Sequence, residues 1–221
     1  MAQVVLSNGI NIEYDTMGDP SNPTLLWIMG FTAQMTAWDE NFLKMYVDRG
    51  FHVVRFDNRD CGLSYKHDGV MVETDKVTMQ AAMGETVTVP VPYTLSDMAA
   101  DAIGVLDHLG IEKAHVVGAS MGGMIAQTVA IEHGHRVKSL TSIMSVPGDL
   151  AYGTPADEAL AALLAPPPSD RAAYIESAAN WAVWCSKKHF DLADAKQRAA
   201  REYDRSFYPE GSHRQLAAIY S

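Results

Sequence analysis

In Gly118-Ala119-Ser120-Met121-Gly122-Gly123, a serine stands between two glycines, each two positions away. The apolar run Ala114-His115-Val116-Val117 leads into Gly118, and small and apolar residues follow Ser120. A strand that stops directly before a serine, with a helix directly after it, forces the chain through a sharp turn. The serine hydroxyl then projects from the end of the sheet as a nucleophile. Large side chains beside such a turn would collide, and Gly118 and Gly122 avoid this. The start of the helix leaves unpaired N–H groups and a positive dipole end next to the serine. The Met121 N–H is therefore a candidate donor to the oxyanion that forms when the hydroxyl attacks a carbonyl. The plainer alternative is a packing turn in which Ser120 serves as an N-cap. A phosphate-binding loop would require a lysine at the helix start, and none stands there.

Acyl-transfer chemistry uses a second backbone donor, and the end of another strand offers one. The apolar run Thr24-Leu25-Leu26-Trp27-Ile28-Met29 ends at Gly30-Phe31-Thr32. Gly30 permits close backbone approach, and the Phe31 N–H is the candidate second donor. Cys61 and Cys185 are too widely spaced for a disulfide framework or a zinc pattern. They read as free thiols in a reducing compartment, and no cofactor or metal is expected.

The elements needed to position these groups are legible in outline. Val4–Leu6, the Asn8-Gly9 turn and Ile10–Tyr14 read as an antiparallel hairpin. Thr24–Met29 and Phe51–Phe56 read as strands buried on both faces. A helix is expected over Ala37–Arg49, an irregular stretch over 57–93, a helix over Leu95–Leu109 and strands over Ala114–Ala119 and Val137–Met144. The helix after Ser120 should run from Met121 to Glu132. This alternation argues an α/β fold with a mostly parallel sheet and helices on both faces. After Pro147 the texture becomes Ala-rich and helical, over roughly 155–165, 169–187, 191–206 and 211–220, with a break at Pro166-Pro167-Pro168. The expected division is a core over 1–146 and a helical cap over 147–221.

The 221 residues suffice for one sizeable domain, burying roughly 70% of the unfolded surface. A net charge of −10 and a pI near 5.1 disfavour nucleic acid as a partner and an anionic membrane surface as a docking site. Met1-Ala2-Gln3-Val4-Val5 does not read as a signal peptide, and no apolar stretch of about 18 residues occurs. A cytoplasmic location is the expectation.

Four segments together carry a family resemblance: Trp27-Ile28-Met29-Gly30-Phe31 with Gln34 and Trp38; Phe56-Asp57-Asn58-Arg59-Asp60-Cys61-Gly62-Leu63-Ser64; Tyr93-Thr94-Leu95-Ser96-Asp97-Met98-Ala99-Ala100-Asp101; and the turn around Ser120. With them the chain resembles the α/β-hydrolases, in the branch that includes aclacinomycin methylesterase-like esterases. The resemblance implies a small-molecule ester substrate, an acyl-enzyme on Ser120, and a buttressing role for the Asp57–Ser64 segment beneath the active site. Family members often carry glycine at the position of Thr32, and many have His-Gly where this chain has Met29-Gly30. The same scaffold hosts lactonases, carbon–carbon hydrolases and cofactor-free perhydrolases, because fold alone does not set the reaction. Relatives that open epoxides or displace halide use Asp at the elbow, against which Ser120 argues.

In that family the catalytic groups follow the chain order serine, acid, histidine. The resemblance places the acid, the histidine and the last two strands of the sheet beyond residue 221. Asp149, in Val146-Pro147-Gly148-Asp149, occupies a position some members use for the acid, although a turn aspartate is the plainer reading. Of the eight histidines, only His189 and His213 follow Ser120 in the expected cap, and both read as surface residues. A serine without a base is a weak nucleophile. This chain by itself is therefore expected to have little or no turnover, so a non-catalytic fragment or binding module is the alternative. The Val137–Met144 strand is expected to form an apolar sheet edge that invites self-association.

Overall fold

The computed structural model describes residues 1–148, 152–153, 156–184 and 188–221, so Asp149 and Cys185 lie outside the described residues. Two compact units emerge, Met1–Gly148 with Glu210–Ser221, and Asp149–Pro209.

The first unit contains β1 (Ala2–Val5), β2 (Asn11–Met17), β3 (Thr24–Ile28), α1 (Glu40–Val47), β4 (His52–Phe56), α2 (Thr74–Ala82), α3 (Leu95–His108), β5 (Ala114–Ala119), α4 (Met121–Glu132) and β6 (Val137–Ile143). Its sheet has the order β1-β2-β4-β3-β5-β6. The β1–β2 and β2–β4 pairs are antiparallel, and β4–β3, β3–β5 and β5–β6 are parallel. Successive side chains of a strand point to opposite faces, and β3 buries both sets. Leu26 and Ile28 join Met98, Ala102, Leu106, Ile125 and Val129 in one cluster that includes α3 and α4. Leu25 and Trp27 join Leu43 and Val53 in another, with Trp38 and Tyr46 against it. The continuous apolar run thus becomes a central strand because helices cover it on both sides.

Capping residues sharpen the helix ends. Thr94 and Asp97 form a reciprocal capping box that starts α3. Asp39 accepts the Phe42 N–H and starts α1 at Glu40. The helix expected over Ala37–Arg49 is therefore shorter, preceded by a single 3-10 turn at Met35–Ala37. The stretch expected to be irregular over 57–93 contains α2. It escaped periodicity because Val77 is its one deeply buried apolar side chain, against Val89 and Ala217, while Met79 and Met83 face solvent.

The helix expected to belong to the cap over 211–220 forms part of the first unit instead. Arg214 and Gln215 are buried there by polar contacts with residues 59 and 60, contacts that no apolar periodicity foretells.

The second unit holds α5 (Asp157–Leu164), α6 (Arg171–Ser177), a 3-10 segment at Ala178–Val183 and α7 (Leu192–Arg205); α8 (Gly211–Tyr220) then returns to the first unit. Ala178, Ala195 and Ala199 form the small centre of the second unit, with Tyr174, Trp181 and Phe190 packed on them. Tyr203 stacks on Phe207 at 4.6 Å and Tyr174 approaches both rings. These aromatic side chains serve packing within the unit.

Candidate active site

Ser120 is the single residue between β5 and α4, with φ 56° and ψ −124°. A non-glycine residue with positive φ is uncommon, and in this region it costs of order 1–3 kcal/mol. Three observations explain why the surroundings enforce it. The Ser120 N–H donates to the Ile143 carbonyl at 2.9 Å, tying the turn to β6. A Cβ on Gly118 would run into the Gly122 carbonyl, and one on Gly122 into the Ile28 carbonyl. Helix and strands therefore approach more closely than any side chain would allow, and the turn has no room to relax.

The loop after β3 lies against the same serine. A Cβ on Gly30 would sit 2.9 Å from the Ala119 carbonyl oxygen and 3.5 Å from Ser120 Oγ. Among the described residues neither the Phe31 N–H nor the Met121 N–H donates to a protein acceptor. One stands at the N-terminus of α4, next to Ser120 in the chain, and one on the loop after β3, next to Gly30. Thr32 has φ 57°, a left-handed backbone that suits a residue without Cβ.

The Asp57–Ser64 segment props that loop from below. Asp57 is fully buried, and its carboxylate accepts the Met35 N–H at 2.7 Å and the Leu63 N–H at 2.9 Å. The Asn58 side chain donates to the Met29 carbonyl at 2.8 Å, directly before Gly30. Arg59 pairs with buried Asp101 through two 2.7 Å hydrogen bonds. Asp60 accepts the Tyr93 hydroxyl at 2.7 Å, the His67 N–H at 2.8 Å, and Arg214 through Nε at 2.8 Å and a second guanidinium nitrogen at 3.0 Å. Sequence reasoning missed Arg214 and Gln215. The available signal was the spacing 211, 214, 215, 218, one helical face carrying two polar residues where apolar ones are expected.

No side chain among the described residues hydrogen-bonds the Ser120 hydroxyl. His52 and His115 lie at the starts of β4 and β5, the opposite end of the sheet, beside Thr24 and Ser139 respectively. His67 rests against Tyr65 and Tyr93, His108 on Tyr14, and His189 and His213 are exposed. No group of side chains suited to a metal ion occurs among the described residues, and no helix there is long and apolar enough to cross a membrane.

The buried titratable groups set a pH dependence. Burial pushes the His52 and His67 rings below their ordinary value near 6.5, with nearby Asp19 and Asp60 respectively opposing. For Asp60, burial raises the carboxyl, but the hydrogen bonds from Arg214, His67 and Tyr93 outweigh it and leave it lowered. In each case the folded pKa lies below the unfolded one, so the unfolded chain binds protons more readily. The histidine contribution is full above the unfolded value near pH 6.5 and is lost as pH falls below it through the lower folded pKa; the Asp60 contribution is full above about pH 4 and is lost below it in the same way. Thermal unfolding followed by circular dichroism should show a midpoint that falls in two steps on acidification. His52→Gln together with His67→Gln should remove the upper step, and a midpoint independent of pH between 7 and 5 would contradict the assignment.

A family model described as alpha/beta hydrolase fold matches residues 23–183. The chain is an α/β-hydrolase. It is 28% identical over 158 residues to the rhodomycin D methylesterase DnrP of Streptomyces peucetius, which covers 72% of this chain and 47% of that protein. It is 24% identical over 145 residues to epoxide hydrolase A of Mycobacterium tuberculosis, covering 66% of this chain and 38% of the other. This α/β-hydrolase chain thus spans about half the length, or less, of these curated relatives. Among solved structures it is similar to the esterase RhEst1 from Rhodococcus sp., with a TM-score of 0.68 at 17% identity, covering 100% of this chain and 72% of that one. The enol-lactonase from Burkholderia xenovorans gives 0.63 at 18% identity, covering 100% and 74%. These structures establish the α/β-hydrolase fold.

Proposed function

We propose that Ser120 is the nucleophile of a hydrolase for small carboxylic esters, working through an acyl-enzyme. Ser120 Oγ attacks the ester carbonyl carbon, and the carbonyl electron pair moves onto the oxygen between the Phe31 and Met121 N–H groups. Collapse of that intermediate expels the alcohol, which takes up the serine proton, and water then releases the acid. The observation that carries this reading is the strained backbone of Ser120 at the start of α4, with the Gly30 loop pressed against its side chain. The methylesterase relatives support an ester as substrate.

The serine proton needs an acceptor, and among the described residues none touches the hydroxyl. We therefore propose that turnover by this chain alone is small. Oxyanion donors without a base leave some catalysis above that of water. Labelling with a fluorophosphonate tests the nucleophile directly, because the reagent needs a reachable, partly activated serine. Peptide mapping should find the adduct on Ser120; an adduct elsewhere, or none, would refute the assignment. Robust, Ser120-dependent hydrolysis of p-nitrophenyl acetate at neutral pH would refute the impairment. The missing partner for the hydroxyl is also what favours a second reading, a hydrolase scaffold used as a binding module, for which an unlabelled Ser120 would speak. The acidic charge and the lack of a membrane-crossing helix among the described residues are compatible with a cytoplasmic enzyme that binds neither nucleic acid nor membranes.

The proposed partner of the chain itself is a second copy. Among the described residues β6 pairs with β5 alone, and Leu140, Ile143 and Met144 are exposed on and beside it. An unpaired apolar edge is a template for strand pairing. Sedimentation velocity should show concentration-dependent dimers or larger species. Lys substitutions at Leu140 and Ile143 should reduce them, and a monodisperse wild-type monomer would argue against an edge contact.

A further inference from the structure

We propose that Gln215 is a positioning residue that clamps the oxyanion loop over Ser120. The inference rests on the reading of Ser120 and Phe31 given above. Gln215 is fully buried on α8, and its side-chain amide joins two segments distant in sequence. Its Oε1 accepts the Thr32 N–H at 2.8 Å, and its Nε2 donates to the Arg59 carbonyl at 2.9 Å. The Thr32 carbonyl is held as well, by the Cys61 thiol at 3.2 Å. Both peptide groups of Thr32 are thus fixed while its φ is 57°.

A β-branched residue does not hold that conformation unaided, since its Cβ crowds the backbone. If the Thr32 N–H were released, the residue would relax toward negative φ and the preceding peptide would rotate with it. That preceding peptide carries the Phe31 carbonyl and borders the Phe31 N–H, the proposed donor. The amide of Gln215 absorbs the neighbouring N–H and leaves the Phe31 N–H unclaimed. Arg214 anchors the same turn of α8 on Asp60, so the clamp is built on a buried ion pair. A glutamine suits this place because it accepts and donates at once, without a charge to bury.

Gln215→Met keeps the side-chain length and removes both hydrogen bonds. In the full chain, amide exchange at Thr32 should accelerate about tenfold or more, while Val116 and Val117 in β5 exchange as before. Fluorophosphonate labelling of Ser120 should slow by at least about tenfold, since an oxyanion donor would be displaced. Adding Thr32→Gly should restore much of the labelling rate, because glycine adopts the turn without a clamp. A role confined to holding α8 would show no such rescue. Unchanged Thr32 exchange, equal acceleration in β5, or labelling as fast as wild type would overturn the proposal. If the methionine variant does not fold, Gln215→Glu, which retains the acceptor, should keep Thr32 exchange slow; fast exchange there would overturn it too. An unlabelled Ser120 in the wild-type chain overturns the nucleophile reading and this one together, whereas a labelled wild type with an equally reactive variant overturns this one alone.

Discussion

Replacing Ser120 by alanine is expected to bring fluorophosphonate labelling to background while leaving the unfolding midpoint within about 2 °C of wild type, roughly what a change of less than 1 kcal/mol produces in a chain of this size. Alanine removes the hydroxyl and keeps a Cβ, so it inherits the backbone strain at φ 56° and ψ −124°. Replacement by glycine separates the two properties. It also removes the hydroxyl, but the conformation ceases to be strained. The strain relieved, of order 1–3 kcal/mol, exceeds the entropy glycine costs, about 0.5–1 kcal/mol. The glycine variant should therefore be inert and about 1 kcal/mol more stable, a rise of roughly 2–4 °C in midpoint. The pair of variants distinguishes a turn strained to present a nucleophile from one used only for packing. In the packing case the serine-to-alanine change would leave labelling as it was. A glycine variant no more stable than the alanine variant would mean that the turn stores no strain.

Removing the cation of a buried ion pair should have the largest effect on stability. Arg214 is 4% exposed and Asp60 is 2% exposed, with an Nε-to-carboxylate distance of 2.8 Å. Arg214→Met leaves Asp60 charged and buried, with the Tyr93 hydroxyl and the His67 N–H remaining. Breaking such a pair from one side costs about 3–5 kcal/mol. Urea unfolding should detect that loss, and the thermal midpoint should fall by roughly 10 °C. The neutral double variant Arg214→Met with Asp60→Asn should recover part of it, since an uncompensated charge no longer has to be buried. A loss under 1 kcal/mol for the single variant would show that water reaches Asp60 and that α8 is not anchored there. The site should respond as well, because Gln215 follows Arg214 and holds both Thr32 and Arg59. Labelling of Ser120 is expected to slow in the single variant under conditions where the chain is still folded.

Much of the fold was legible in the residues because strand and helix leave local marks. Thr24–Met29 reads as buried on both faces, and β3, Thr24–Ile28, is covered on both. The apolar spacing over Leu95–Leu109 predicts a helix, and α3 runs from Leu95 to His108 with Gly110, φ 67°, just past its end. At Gly118-Ala119-Ser120-Met121-Gly122 the pattern of small residues predicts the sharp turn, and the structure shows the backbone contacts that only glycine permits. The weak points were equally physical. α2 has too few buried apolar residues to generate a period, and α8 buries arginine and glutamine on the face where a period would require leucine.

The sequence alone therefore determined the sharp turn at Ser120, the candidate nucleophile, the two candidate N–H donors and the alternation that forms the sheet, since each follows from covalent geometry and side-chain spacing within a few neighbouring residues. The tertiary structure alone decided that α8 belongs with the core, that Asp60 is the acceptor at its centre, and that Gln215 holds the loop beside Ser120. Those contacts join residues 154, 156 and 183 positions apart. No local pattern encodes such a partner: a buried polar group takes whichever complementary group the packing of distant elements brings within hydrogen-bond reach.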